Sequence, residues 1–249
     1  MQDQDLDRAI QTIHLRFGSQ ALRRADSLPA PAPWPVGIAA VERLSGIGGL
    51  PCGRLTVFSG TGTCGKLSLA LALLARATHD FATAIVIDDR LGFDPWALLP
   101  LEPKLEALTV VRPPDEEAAG EAATALAKAG AGFLLTPPVP EAWLNTIESA
   151  AARSGAVVVV VAETVVPALA HASSFSLAFE RSDWVWDRGQ LAGLRANLRC
   201  VKNKVGIPGL EAEVEVRYPM GARVFFEQPL RERRWLEPDE LEEARSAAV

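Results

Sequence analysis

The sequence predicts an α/β fold with a twisted, mainly parallel sheet, helices on both faces and an antiparallel extension near the C-terminal end. Three observations predict it. Short apolar runs alternate with helical periodicities between residues 55 and 162. A glycine-rich loop joins one of those runs directly to an apolar helix. From about residue 173 the pattern changes to alternation of apolar and polar residues. Strand–helix alternation is the mark of right-handed βαβ units, which give parallel sheets, whereas period-two stretches joined by turns give antiparallel ones.

The elements follow in order. Residues 3–17 read as an amphipathic helix, with Leu6, Ile10, Ile13 and Phe17 at helical spacing on one face. Gly18 ends it, and Ser19 to Ala25 is compatible with a short strand. Residues 28–37 hold Pro29, Pro31, Pro33 and Pro35 and read as a stiff, extended linker. A helix tethered in this way either docks on another molecule or folds back on its own core.

Strands are expected at Leu55–Ser59, Ala84–Asp88, Leu108–Val111, Phe133–Thr136 and Val157–Ala162, with helical runs at 66–78, 94–100, 115–129 and 141–153. Val157 to Val161 is a continuous valine run, the pattern of a strand buried on both faces. Beyond residue 173, Phe175 to Phe179, Trp184 to Asp187, Leu194 to Lys204 and Glu211 to Tyr218 alternate, and Trp186 to Gln190 reads as a hairpin turn. Arg231-Glu232-Arg233-Arg234-Trp235 is either a solvated charge run or a peptide that a partner grips through Arg233 and Trp235. The tail from Pro238 reads as a short acidic helix. The expected organisation is a docking helix and strand at 1–27, the linker at 28–37, a core at 38–227 and a tail at 228–249.

Composition narrows the function. The chain has 249 residues, 49% of them hydrophobic, which suits one α/β domain with small appendages. No run of about 18 apolar residues is present, so no membrane span is expected. The N-terminus is acidic and polar, unlike a secretory signal. Three cysteines without metal-ligand spacing fit a reducing cytoplasm. A net charge of −6 lacks the basic excess common in nucleic-acid binders and favours a protein partner.

The chemistry centres on Gly60-Thr61-Gly62-Thr63-Cys64-Gly65-Lys66-Leu67. The pattern G-x-x-x-x-G-K-[ST] wraps backbone N–H groups around phosphates, sets a lysine on their outer oxygens and ends on a hydroxyl that holds Mg²⁺. Here the last position is Leu67, which offers no oxygen. Ser68 follows, but on a helix it points about 100° away. The cradle of Gly60, Gly62, Gly65 and Lys66 is kept and the metal ligand is not.

Several separated stretches resemble the RecA recombinase family. Gly49-Leu50-Pro51 with Gly53-Arg54 precedes the loop, Ile87-Asp88 leads to Asp94-Pro95, Val201-Lys202-Asn203-Lys204 precedes a strand ending at Tyr218, and the N-terminal helix runs into Phe17-Gly18. The resemblance implies a RecA-like P-loop core with an N-terminal helix that packs on a neighbouring subunit. The departures are informative. The resemblance places a water-activating glutamate where this chain has Arg90, and a metal-holding aspartate where it has Thr136 followed by Pro137 and Pro138. A guanidinium cannot accept a proton. Where RecA has two DNA-binding loops, helix 141–153 starts almost at once after Thr136, and only Glu163 to Val166 follow the valine strand. Glu163 stands near the family's nucleotide-sensing glutamine.

Among shortened RecA relatives the chain most resembles the ImuA group, which accompanies an inactive Y-family polymerase relative of the ImuB type in damage-induced mutagenesis. That resemblance implies a cytoplasmic, non-catalytic binding protein of the SOS response and translesion DNA repair. It would engage RecA through Leu6, Ile10, Ile13 and Phe17 and cap or weaken its filament, with little direct DNA binding. No resident cofactor or metal is expected, and weak ATP binding at most. Lys202 and Lys204 would complete the nucleotide site of a bound RecA protomer, or else are edge lysines that guard against aggregation. Two alternatives stand beside this: an active DNA-dependent ATPase paralogue, with Ser68 or Asp89 replacing lost ligands, and a SulA-like cell-division inhibitor.

Overall fold

The structure, a computed structural model, describes residues 2–18, 31–90 and 92–218, with side chains from Asp7 onward in the first stretch. The expected strand at 19–25, the start of the proline-rich stretch, the side chain of Leu6 and the tail with Arg233 and Trp235 lie outside the described residues. The chain divides into two compact units, Met1–Ala32 and Pro33–Val249.

In the first unit, α1 spans Gln2–Phe17. Gly18 ends it with φ +87°, its N–H donating to His14 O at 2.9 Å. Ile10, Ile13 and Phe17 keep the expected spacing, and Phe17 is 66% exposed.

The second unit opens with β1, Pro33–Trp34, paired to β2, Leu50–Pro51. The second half of the proline-rich stretch is therefore not a free linker. Trp34 is buried between Phe81 and Phe133, and its indole N–H donates to Asp80 Oδ2 at 3.0 Å. An indole that is both packed and bonded anchors the chain strongly. Between β1 and β2 lies a helix that the sequence does not announce, α2, Ala39–Ser45. At this length it is not stable alone. It forms because Val41 and Leu44 are fully buried.

The main sheet then unfolds much as expected. β3 is Leu55–Ser59, α3 Lys66–Asp80, β4 Ala84–Ile87, β5 Leu108–Val111, α4 Glu116–Lys128, β6 Phe133–Thr136, α5 Glu141–Ser154 and β7 Val157–Ala162. The run at 94–100 is a 3-10 segment, Pro95–Leu101, because Pro100 removes the amide a longer helix would need. A short helix α6, Pro167–Ala172, leads into β8, Phe175–Asp187. β9, Gln190–Asn203, and β10, Glu211–Arg217, follow. The stretches 175–179 and 184–187 thus belong to one long strand, interrupted by bulges rather than by a loop. Arg188 and Gly189 have φ of 50° and 78°, two consecutive positive values that suit a tight hairpin turn.

Among the described residues the eight-stranded order is β10-β9-β8-β3-β7-β6-β4-β5. Strands from β5 to β8 pair in parallel, and β8, β9 and β10 are antiparallel. One core face packs α2 and α3 on Phe58, Phe133 and Phe175. The other packs α4, α5 and α6 on Leu55, Val57 and Val158. Parallel pairing brings the carboxyl ends of β3, β4, β6 and β7 to one edge, where ligands bind in open α/β sheets.

Candidate functional site: a phosphate loop at the carboxyl edge of the sheet

β3 is buried along its whole length between β7 and β8 and ends at Ser59, so the chain leaves the sheet as the loop 60–65. Gly60 has φ +156°, and a Cβ there would lie 2.4 Å from Phe179 O. Only glycine passes this point. Gly65 has φ +88°, and a Cβ would stand 3.0 Å from Leu194 Cδ1, so the loop is seated against β9. Gly65 is the N-cap of α3; it offers no capping side chain, and the first turn carries no acidic residue. The first amides of α3 are thus left for a ligand.

Two cations meet the loop. Lys66 Nζ donates to Gly62 O at 3.3 Å. Arg181, on β8, donates from Nη1 to Thr63 O at 3.0 Å, and its guanidinium lies 4.3 Å from the ring centre of Trp184.

The remaining side chains at this edge of the sheet are placed as follows. Leu67 is 55% exposed at the first turn of α3. Thr136, at the end of β6, donates its hydroxyl to Pro137 O at 3.0 Å. Asp88, just beyond β4, accepts from Gly92 N at 2.8 Å, Phe93 N at 3.1 Å and Arg112 Nε at 3.2 Å. It latches the turn. Arg90 is exposed, and Asp89 Oδ2 and Glu116 Oε1 each lie 3.9 Å from its guanidinium. The motif ordinarily binds a divalent cation beside its phosphates; Leu67 offers it no oxygen, and Asp88 is already engaged by three donors. Among the described residues no group of three or more His, Cys, Asp or Glu is placed to hold a metal ion.

The connections at this edge are short, with residues 137–140 between β6 and α5 and 163–166 between β7 and α6. Beside Gly60 a cleft of about 620 Å³ is lined by the end of β3, the connection after β7, and residues of β8, β9 and β10. Its charged lining is Glu163, Glu180, Glu211 and Arg199.

The Val-Lys-Asn-Lys stretch proves to be a joint between elements. Lys202 Nζ donates to Ala170 O and, at 3.0 Å, to His171 O; Lys204 Nζ donates to His171 O at 3.1 Å. These are carbonyls at the C-terminal end of α6, where cations are favourable. Asn203 Nδ2 donates to Leu44 O at 3.3 Å and Ser45 O at 2.9 Å, closing the end of α2. Burial, then the charge of Lys204 and a hydrogen bond with it, hold Lys202 below the usual lysine pKa. In this structure, then, the lysines grip their own chain.

Sequence reasoning places Gly60, Gly62, Gly65, Lys66, Leu67 and Ser68 together, as observed, with Ser68 half-buried beside exposed Leu67. It misses Arg181, which follows Thr63 by 118 residues, and Trp184. No local signal marks either.

The family model of the RecA N-terminal domain matches residues 4–137. The chain belongs to the RecA family. It is 27% identical to RecA of Chlorobaculum tepidum over 89% of this chain and 77% of that protein. It is 28% identical to RecA of Oceanobacillus iheyensis over 88% and 75%. With RecA of Thermus aquaticus the identity rises to 33% over a shorter stretch, 51% of this chain and 38% of the relative. In fold it is similar to the RadB recombinase, with a TM-score of 0.58 at 16% identity, covering 73% of this chain and 94% of that one. The RecA-family fold therefore accounts for the loop, the parallel core and the antiparallel extension together. No helix among the described residues is long and apolar enough to cross a membrane.

Proposed function

We propose that this RecA-family protein is a binding protein that does not turn over ATP, engages RecA, and caps or weakens its filament during damage-induced mutagenesis, in the manner of the ImuA group. One observation carries the reading. A loop that keeps Gly60, Gly62, Gly65 and Lys66 sits in a RecA-family fold, and the resemblance assigns the metal hydroxyl, the base and the metal carboxylate to the positions of Leu67, Arg90 and Thr136. Loss of one such part can be compensated. Loss of all three removes metal clamping and water activation together.

Short connections at 137–140 and 163–166, and a cleft with three glutamates against Arg199, support little direct DNA binding, because phosphate contact supplies most non-specific affinity. RecA would be met through Leu6, Ile10, Ile13 and Phe17 of α1, and the tail around Arg233 and Trp235 would serve an ImuB-type partner. The test is capture of purified RecA by the full chain and by a chain lacking residues 1–30, which keeps β1 and the buried Trp34. Equal capture by both would remove α1 from the contact, and capture by neither would remove RecA as the partner.

A second reading, an active ATPase paralogue, is favoured by Asp89. Its side chain is only 8% exposed at the carboxyl end of β4, and its one recorded partner among the described residues is Arg90 at 3.9 Å. Phosphate release from ATP that disappears in Asp89→Asn and in Lys66→Ala would select this reading.

A further inference from the structure

The mismatch between the loop and a divalent cation has a positive side. A polyphosphate bound in a phosphate loop brings several negative charges, and something must balance them. The usual balance is one lysine and one metal ion. Here the metal positions are Leu67 and Thr136, while two side-chain cations converge on adjacent carbonyls of the same loop: Lys66 on Gly62 O at 3.3 Å and Arg181 on Thr63 O at 3.0 Å. Among the described residues neither cation has a carboxylate partner. Arg181 is held by its bond to the loop and by stacking on Trp184 at 4.3 Å. Its guanidinium carries five donors, of which the loop carbonyl takes one. The amides at the start of α3 are uncapped by any side chain.

We infer that the loop binds the polyphosphate chain of a nucleotide without a divalent cation, with Arg181 supplying, beside Lys66, the positive charge that the metal would otherwise bring. The inference rests on the reading of the loop as a cradle without a metal clamp, and it is independent of the RecA contact. It assigns a role to a residue on the β8–β9 hairpin, outside the loop motif. The ligand is chosen by its phosphates: tripolyphosphate and nucleoside triphosphates share the chemistry that the two cations read.

The experiment titrates the full-length protein with a fluorescent ATP analogue, once in excess EDTA and once in millimolar Mg²⁺, with unlabelled ATP and tripolyphosphate as competitors. The expected result is affinity in EDTA within about threefold of that in Mg²⁺, since no protein ligand awaits the metal. Arg181→Ala and Lys66→Ala should each weaken binding in EDTA by roughly tenfold or more, the effect of losing a charge-assisted contact. Arg181→Lys, which keeps the charge, should recover part of the loss, and circular dichroism of each variant confirms that the fold persists. Competition by tripolyphosphate confirms that the phosphates are what is bound, and competition by ATP alone would overturn that choice of ligand. Binding that requires Mg²⁺ would overturn the inference, and so would EDTA-resistant binding that Arg181→Ala leaves unchanged. If no nucleotide binds in either buffer while RecA capture persists, the inference fails and the proposed function stands.

Discussion

Replacing Lys202 by methionine separates two uses of the same lysine. Methionine keeps an unbranched stem and removes the ammonium. In the structure that ammonium joins β9 to the end of α6 through Ala170 O and His171 O. A hydrogen bond from a charged donor contributes about 1.5–3 kcal/mol in well-buried settings. Three features reduce it here: the ammonium loses water on burial, Lys204 places a like charge close by, and the contact to His171 is solvent-exposed. A net loss of about 1–2 kcal/mol is expected, which for a domain of this size lowers Tm by roughly 3–6 °C. Lys204→Met should cost less, because it removes one bond and relieves the repulsion. The double variant should cost more than the sum, since either lysine alone still satisfies His171 O and each single change already relieves the same repulsion. Melting followed by circular dichroism reads the effect, and RecA-dependent ATP hydrolysis is measured beside it. If Lys202→Met leaves Tm unchanged but abolishes the protein's effect on RecA turnover, the capping argument is wrong and the lysine serves the partner's nucleotide.

Other expectations follow from the same geometry. ATP turnover should stay at background with or without single-stranded DNA; Lys66-dependent hydrolysis near about one per minute, well below ordinary enzyme rates, would contradict the non-catalytic reading. Changing Ile10 and Phe17 together to Asp should abolish RecA capture and its effect on strand exchange, with little change in melting; unfolding of this variant would instead assign the helix to the protein's own core. Labelled single-stranded oligonucleotide should bind weakly at physiological salt by anisotropy, and sub-micromolar binding there would count against the acidic cleft as a barrier. For Asp80, burial raises the carboxyl pKa, but hydrogen bonds from Arg76 and Trp34 and the charges of Arg76 and His79 outweigh it, and the net pKa is lowered. Its contribution is therefore complete above the ordinary aspartate value and is lost as pH falls through the lowered one. Acid titration followed through the NMR signal of the Trp34 indole N–H, which donates to Asp80, should show this step, and Asp80→Asn should lack it.

The sequence by itself determined the parallel core. Leu55–Ser59, Leu108–Val111, Phe133–Thr136 and Val157–Ala162 are strands with the bounds expected from their apolar runs; for all but the partly exposed edge strand Leu108–Val111, burial on both faces writes itself into consecutive residues. The phosphate loop was equally legible, since its glycines, its lysine and Leu67 lie within eight consecutive residues. What the tertiary structure alone decided are the partners across the fold. Trp34 is packed between Phe81 and Phe133, Asn203 closes α2, Lys202 and Lys204 close α6, and Arg181 holds the loop from β8. The helix α2 exists only through such burial. Local periodicity reports which face of an element is covered, but not by what. A hydrogen bond between residues 118 apart, such as Arg181 to Thr63, leaves no trace in either neighbourhood and is fixed only when the strand order brings the two together.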